Sequence, residues 1–339
     1  MNRHELHLLA ELSDPDEGVV GAMAALEGDL LLLGAGGKMG YGIALMALRA
    51  FKEAGKSNRV IAASRFSDRE LREQIELEGI TTLACDLLDA EAVRGLPDAP
   101  NVMSLVGQKF GTSQSPGLTW VTNTVIPAMI CQRFCDSQIV AFSSGNVYPL
   151  TPVDSRGASE QTPLAPVGEY GQTVLGRERV YDYYSRTQGT PATIVRLNYA
   201  NEPRYGVLVD IAMKVRRGEA IDVTMGCVNV LWATDANRVG LKCFELTSSP
   251  PTTINLAGPR VVSVREVAAM FGAAFGVDPV ITGTEASTAL LSDATKCWTR
   301  FGGPEAEVDY MVRRIADWIM QGYPVWAKPT HFEVRGGTF

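Results

Sequence analysis

Between Leu30 and Phe51 an apolar run passes through a glycine cluster into a helical pattern, and that order leaves few folds open. Leu30 to Leu33 reads as a strand buried on both faces, and Ile43, Ala44, Met46, Ala47, Leu48 and Phe51 recur at helical spacing. Between them lies Gly34-Ala35-Gly36-Gly37-Lys38-Met39-Gly40. With Met39 where the usual GxGxxG fingerprint needs glycine, the pattern is GxxGxxG at 34, 37 and 40. Gly34 supplies a tight turn, Gly37 lets backbone approach a phosphate, and Gly40 lets the helix pack on the strand. The helix start presents unpaired N–H groups and a positive dipole end, which suits a pyrophosphate. A glycine-rich turn that binds nothing is the rival reading, and the strand–turn–helix context favours binding.

The alternation continues down the chain. Strands are expected at 59–63, 81–85, 103–106, 138–142, 193–197 and 253–256. Helices are expected at 68–78, 119–134, 169–186, 207–217, 235–246, 263–275 and 307–320. Near-continuous apolar strands separated by helices predict an α/β fold, a Rossmann-type doubly wound parallel sheet with a smaller C-terminal substrate-binding lobe. The expected divisions are a helical extension over 1–28, a nucleotide-binding domain over 29–200, and a lobe over 201–339 interleaved with the end of the sheet. In the extension, Leu6 to Leu12 suggests one helix and Ser13-Asp14-Pro15 caps a second, with a packing role over a sheet edge or at a subunit contact.

At 339 residues the chain can bury a large core. A net charge of -7 without a basic run argues against nucleic acid or an anionic membrane as partner, and no apolar stretch approaches a membrane span. Six cysteines form no CxxC pair; Cys131 and Cys135 are expected on one packed helix face. The three histidines lie near the ends, so no metal site is expected, and the N-terminus lacks a signal-peptide layout. The expectation is a cytoplasmic protein with reduced thiols and a small-molecule substrate.

Further segments carry a resemblance: Cys85-Asp86-Leu87-Leu88-Asp89 after the third strand, Phe142-Ser143-Ser144-Gly145-Asn146-Val147-Tyr148, Glu160-Gln161-Thr162-Pro163-Leu164, and Glu169-Tyr170-Gly171-Gln172. With the glycine turn, their order and spacing resemble the extended short-chain dehydrogenase/reductases of the NAD-dependent epimerase/dehydratase group, over about Leu30 to Gly322. The resemblance implies that Asp86 bonds the adenine, Ser144 binds the reacting oxygen, and Tyr170 passes a proton while hydride moves to or from a nicotinamide. It implies a cofactor site of Gly34, Gly37, Lys38, Met39, Gly40, Ser64, Arg65, Asp86, Leu87, Val106 and Lys109, with Ser143, Asn146 and Asn198 near substrate. It also implies a homodimer through helices around 119–134 and 169–186.

Two departures sharpen the expectation. The family's lysine four residues after the tyrosine is Val174 here. A phenol ionises near pH 10 in water, so without a cation Tyr170 is a better acid than base. Lys109 is one candidate replacement. Arg177, on the same helix face but about 10 Å along the axis, is a stretched one. The lobe stretch from Val228 to Asp235 lacks the arginine with which nucleotide-sugar members grip a diphosphate, and Asn198 and Asn201 sit off the usual register after Arg196. A small sugar, sugar acid or related hydroxy/keto compound is therefore expected as substrate. Ser64-Arg65 ends the second strand where an acid would bond a 2′-hydroxyl, so NADP is favoured over NAD. The expected activity is an NAD(P)-dependent oxidoreductase or epimerase/dehydratase-like reaction. The alternatives are a cofactor-binding sensor or scaffold, or a lyase or isomerase that uses bound cofactor transiently.

Overall fold

The computed structural model describes residues 3–338. Helices α1 (Arg3–Leu12) and α2 (Glu17–Ala25) precede strand β1 (Leu30–Leu33). There follow α3 (Gly40–Glu53), β2 (Val60–Ser64), α4 (Arg69–Leu77), β3 (Thr81–Ala84), α5 (Ala90–Arg94) and β4 (Asn101–Ser104). After α6 (Pro116–Trp120) and α7 (Ile126–Arg133) come β5 (Gln138–Ser144), α8 (Gly168–Gln188) and β6 (Ala192–Leu197). Later elements are α9 (Val207–Arg217), α10 (Ala233–Lys242), β7 (Thr252–Leu256), α11 (Val264–Phe275), α12 (Thr295–Phe301) and α13 (Val308–Met320).

The seven strands form one sheet in the order β7-β6-β5-β4-β1-β2-β3. β1 runs parallel to both β2 and β4, with Leu30 opposite Val60 on one side and Asn101 on the other. The chain thus reverses direction across the sheet at the β1–β4 boundary, the place where doubly wound sheets open a crevice for ligands.

The chain divides into two compact units that interleave more than the expected boundary near 200. The first takes residues up to Ser144, Gln172–Arg196 and Asn237–Ile254; the second takes Gly145–Gly171, Leu197–Ala236 and the residues from Asn255 onward. The physical reason is that α10 returns to the first unit. Asn237 and Arg238 donate to the carbonyls of Leu12 and Asp14, and Lys242 pairs with Asp16 at 3.1 Å. Arg49 on α3 bonds the Ala10 carbonyl and the Ser13 hydroxyl from the other side. The N-terminal extension is therefore clamped between α3 and α10 rather than laid over a sheet edge. The cap of α2 is Asp16, which accepts from the Val19 N–H at 2.6 Å, not the Ser13–Pro15 stretch.

Leu30 to Leu33 are wholly buried, and Leu31, Leu33, Val102, Ile139 and Ala141 pack with Ile126, Ile130 and Phe134. β4 lies two residues earlier than its apolar stretch suggested, because Asn101 starts it. Its side-chain amide donates to the Glu27 carbonyl at 2.9 Å, so a polar residue opens a buried strand without cost. The helix expected at 119–134 begins at Pro116 and widens to a π-helical turn over Val121–Val125. It ends at Arg133, so Cys135 lies beyond it and shares no helix face with Cys131.

In the second unit, α9, α11 and α13 pack through Val207, Leu208, Ile211, Val215, Val267, Phe271, Val312 and Ile315. Asn201 caps this layer: its Oδ1 accepts from the Leu208 N–H at 2.9 Å. Short strand pairs, Cys227–Val228 with Val262–Ser263 and Thr288–Ala289 with Thr151–Pro152, complete the unit.

Candidate active site

In the first unit the glycine turn is built as an open cradle. Gly34 takes φ +83°, a left-handed conformation that a side chain disfavours. At Gly40 a Cβ would fall on the Ala35 backbone, so only glycine lets α3 begin this close to the turn. Gly36 and Gly37 are exposed, Lys38 and Met39 half-buried, and no side chain caps α3 at Met39. The Gly40 N–H donates to the Gly37 carbonyl at 3.3 Å, and the N–H groups that follow it in the first turn are left to water or a ligand. The loop after β4 meets the turn, with the Val106 amide 3.2 Å from where a Gly34 Cβ would stand.

The other predicted cofactor residues cluster around this edge to different degrees. Ser64 places its hydroxyl beneath Gly36, and Arg65 beside it is exposed. Asp86 is exposed and accepts from the Leu88 N–H at 3.0 Å, whereas Leu87 belongs to the core. Lys38 and Lys109 converge on one ring, 4.5 and 5.8 Å from the centroid of Phe110. Lys109 therefore sits with the glycine turn.

Beneath the ends of β4 and β5 lies a buried polar node that the sequence argument missed. Asn123, in the π-helical turn, accepts from the Gln108 N–H and donates to the Gln108 carbonyl, both at 3.0 Å. Its amide also donates to the Thr173 hydroxyl at 2.8 Å. Arg177 donates to Asn123 Oδ1 and, at 3.0 Å, to the Phe142 carbonyl. The Arg177 guanidinium is thus built into the floor of the first unit, and the stretched-replacement role is corrected accordingly. Val174 is fully buried on the same helix. An asparagine inside an expected helix was the available signal; the π-helical turn that holds it, of a kind frequent at functional sites, shows only in the structure.

Two serines end β5, and strand alternation sends them different ways. Ser143 donates to Glu178 at 2.5 Å, and Glu178 also takes a two-pronged bond from Arg196 with its shorter arm at 2.7 Å. Ser143 is therefore structural and leaves the expected substrate set. Glu178→Gln would strand the Arg196 cation in a buried site. A loss of about 3–5 kcal/mol of stability is expected, read by denaturant unfolding; a change below about 1 kcal/mol would show the pair to be dispensable. Ser144 is buried at the end of β5.

In the second unit Tyr170 occupies the first turn of α8 and is buried. The Gly145–Val147 turn reaches the same end of α8: a Cβ on Gly171 would lie 2.7 Å from the Asn146 carbonyl, which puts the Asn146 backbone against the first turn of the helix. Asn198, by contrast, is buried, with its amide donating to Asn229 Oδ1 at 3.2 Å and toward the Leu290 carbonyl at 3.4 Å. It braces the lobe and also leaves the substrate set. Tyr205 was missed; burial, then Asp210 and Tyr170, push its phenol well above the usual range, so it stays protonated. Among the described residues no cluster of His, Cys, Asp and Glu could hold a metal ion, and no helix is long and apolar enough to cross a membrane.

A parallel sheet with a glycine turn at its switch point defines a dinucleotide-binding α/β protein. Residues 30–224 match the model of the NAD dependent epimerase/dehydratase family, and the chain belongs to that family. Solved structures share the fold. UDP-glucose 4-epimerase of Thermotoga maritima, in complex with UDP-glucose, superposes with a TM-score of 0.71 at 16% identity, over 87% of this chain and 99% of that one. UDP-glucuronic acid 4-epimerase of Bacillus cereus, in complex with NAD, gives 0.71 at 17%, over 87% and 99%. The dTDP-glucose 4,6-dehydratase of Streptomyces venezuelae, with NAD bound, gives 0.73 at 16%, over 86% and 97%. No curated protein sequence matches the chain.

Proposed function

We propose that this chain is an NAD(P)-dependent oxidoreductase or epimerase-like enzyme acting on a small sugar, sugar acid or related hydroxy/keto compound. The observation that carries the reading is the open glycine turn: exposed Gly36 and Gly37, and a helix whose first N–H groups no side chain caps. Lys38, Met39, Val106 and Lys109 line the same edge, and Asp86 with the backbone of Leu87 receives the adenine. The nicotinamide, when bound, supplies or accepts hydride. Ser144 orients the reacting oxygen and Tyr170 donates the proton, with Asn146 at the same end of α8. Because Val174 offers no ammonium, Tyr170 acts as an acid rather than a base. The buried Val174 also favours a second reading, a coenzyme-binding protein without redox turnover. Nicotinamide absorbance against a panel of sugars and sugar acids separates the two.

Coenzyme choice rests on Arg65, exposed after Ser64 with no acid at that strand end. A guanidinium there matches a 2′-phosphate. In calorimetry NADP is expected to bind more tightly than NAD. Arg65→Asp should weaken NADP by about 10- to 100-fold, the range of a charge-assisted contact, while leaving NAD within a few-fold. An unchanged NADP affinity would remove Arg65 from the coenzyme site. A homodimer is proposed through the apolar side chains that α6, the π-helical turn and α8 expose, among them Leu118, Trp120, Val121, Val125 and Tyr183.

A further inference from the structure

The C-terminal residues cross the second unit as a strap and finish against the helix that carries Tyr170. Trp326 lies 4.6 Å under the Arg204 guanidinium and 6.0 Å from the Tyr205 ring. Thr330 bonds Asp210 through its N–H and its hydroxyl, and Glu333 pairs with Lys214 at 3.2 Å. Beyond them Gly337 crosses Gly168. Both have positive φ, and a side chain on either would collide with the other's backbone. Val167 and Gly168, at the start of the helix that carries Tyr170, and the tail are thus packed as one piece.

Arg335 is held between these anchors. Its Nη1 donates to the Thr288 carbonyl at 2.6 Å and reaches Met225 Sδ at 3.7 Å, and its Nη2 donates to the Thr288 hydroxyl at 2.6 Å. All three acceptors are neutral, and no carboxylate among the described residues pairs with it. Met225 belongs to an apolar cluster with Ala289, Leu290 and Leu291, against which Tyr199 packs. A half-buried guanidinium there, without a counter-ion, is a cation waiting for an anion. Its planar fork suits a carboxylate or a phosphate ester. The stretch from Val228 to Trp232 supplies no competing cation, and Val228, Leu231 and Trp232 are buried.

We propose that Arg335, delivered by the C-terminal strap, recognises an oxyanion on the substrate and so sets the lobe's specificity; this rests on the reading of the second unit as the substrate lobe. Full-length protein is titrated by calorimetry with a hexuronic acid, a hexose phosphate and the matching neutral hexose, with and without NADP. At least one anionic sugar should bind about 10- to 100-fold more tightly than the neutral hexose, and which one does distinguishes carboxylate from phosphate. Arg335→Gln should abolish that preference while leaving the neutral hexose and NADP affinities unchanged. Arg335→Lys keeps the charge but loses the fork, and should weaken the anion several-fold; it serves if the Gln variant fails to fold. Equal binding of charged and neutral sugars by the wild type, or a preference undiminished in the variants, overturns the proposal. Failure of NADP to bind would instead sink the coenzyme reading, and the titrations without NADP would still decide Arg335.

Discussion

Turnover in Tyr170→Phe is expected to fall by about 10²- to 10⁴-fold, the usual worth of a positioned general acid. The loss should appear in kcat, with coenzyme affinity unchanged, because the nucleotide cradle is built in the first unit from the β1 and β4 loops. Stability should change little, since a buried ring is kept and only a hydroxyl is lost. Burial and Asp210 push the neighbouring Tyr205 phenol well above the usual range, which makes it a weak acid and a poor replacement. Pre-steady-state measurement of nicotinamide absorbance on the true substrate checks this. Wild-type turnover in the variant would take Tyr170 out of the reaction.

Gly40→Val is expected to eliminate measurable coenzyme binding. The added Cβ would meet the backbone of Ala35, which cannot swing aside as a side chain can, so α3 must retreat from the turn. Over-packing of this kind costs about 1–3 kcal/mol and misplaces the N–H groups that would meet the pyrophosphate. Gly37→Ala provides the contrast. Its Cβ would meet only the Gly34 carbonyl at 3.3 Å, and a partial loss of affinity is expected. Thermal unfolding and coenzyme titration of both variants separate damage to the fold from damage to the site. If Gly40→Val bound coenzyme normally, the turn would not be the pyrophosphate cradle.

The regular elements were largely legible because buried strands and amphipathic helices leave a periodic apolar trace. α9 falls on the predicted 207–217, and the sheet strands lie within two residues of expectation. What escaped had no such trace. The helices at Ala90–Arg94 and Thr295–Phe301 are too short for a period to show, and the two-residue strands of the second unit carry no alternation. Within the candidate site, the glycine turn was legible because its geometry is local. Ser143 and Ser144 could not be told apart by composition. The carboxylate that claims Ser143 lies 35 residues away on α8.

The sequence by itself determined the doubly wound sheet and the open turn at its switch point, because strand, glycine turn and helix are adjacent along the chain and their physics is local. It also exposed the absent lysine, since Val174 stands at a fixed helical spacing from Tyr170. Only the tertiary structure decided that Arg177 belongs to the floor of the first unit with Asn123, and that Gly337, two residues past Arg335, packs on Gly168 at the start of α8. Those arrangements join residues 54 and 169 positions apart. Contacts across such separations are fixed by how packed layers meet, which no local pattern encodes.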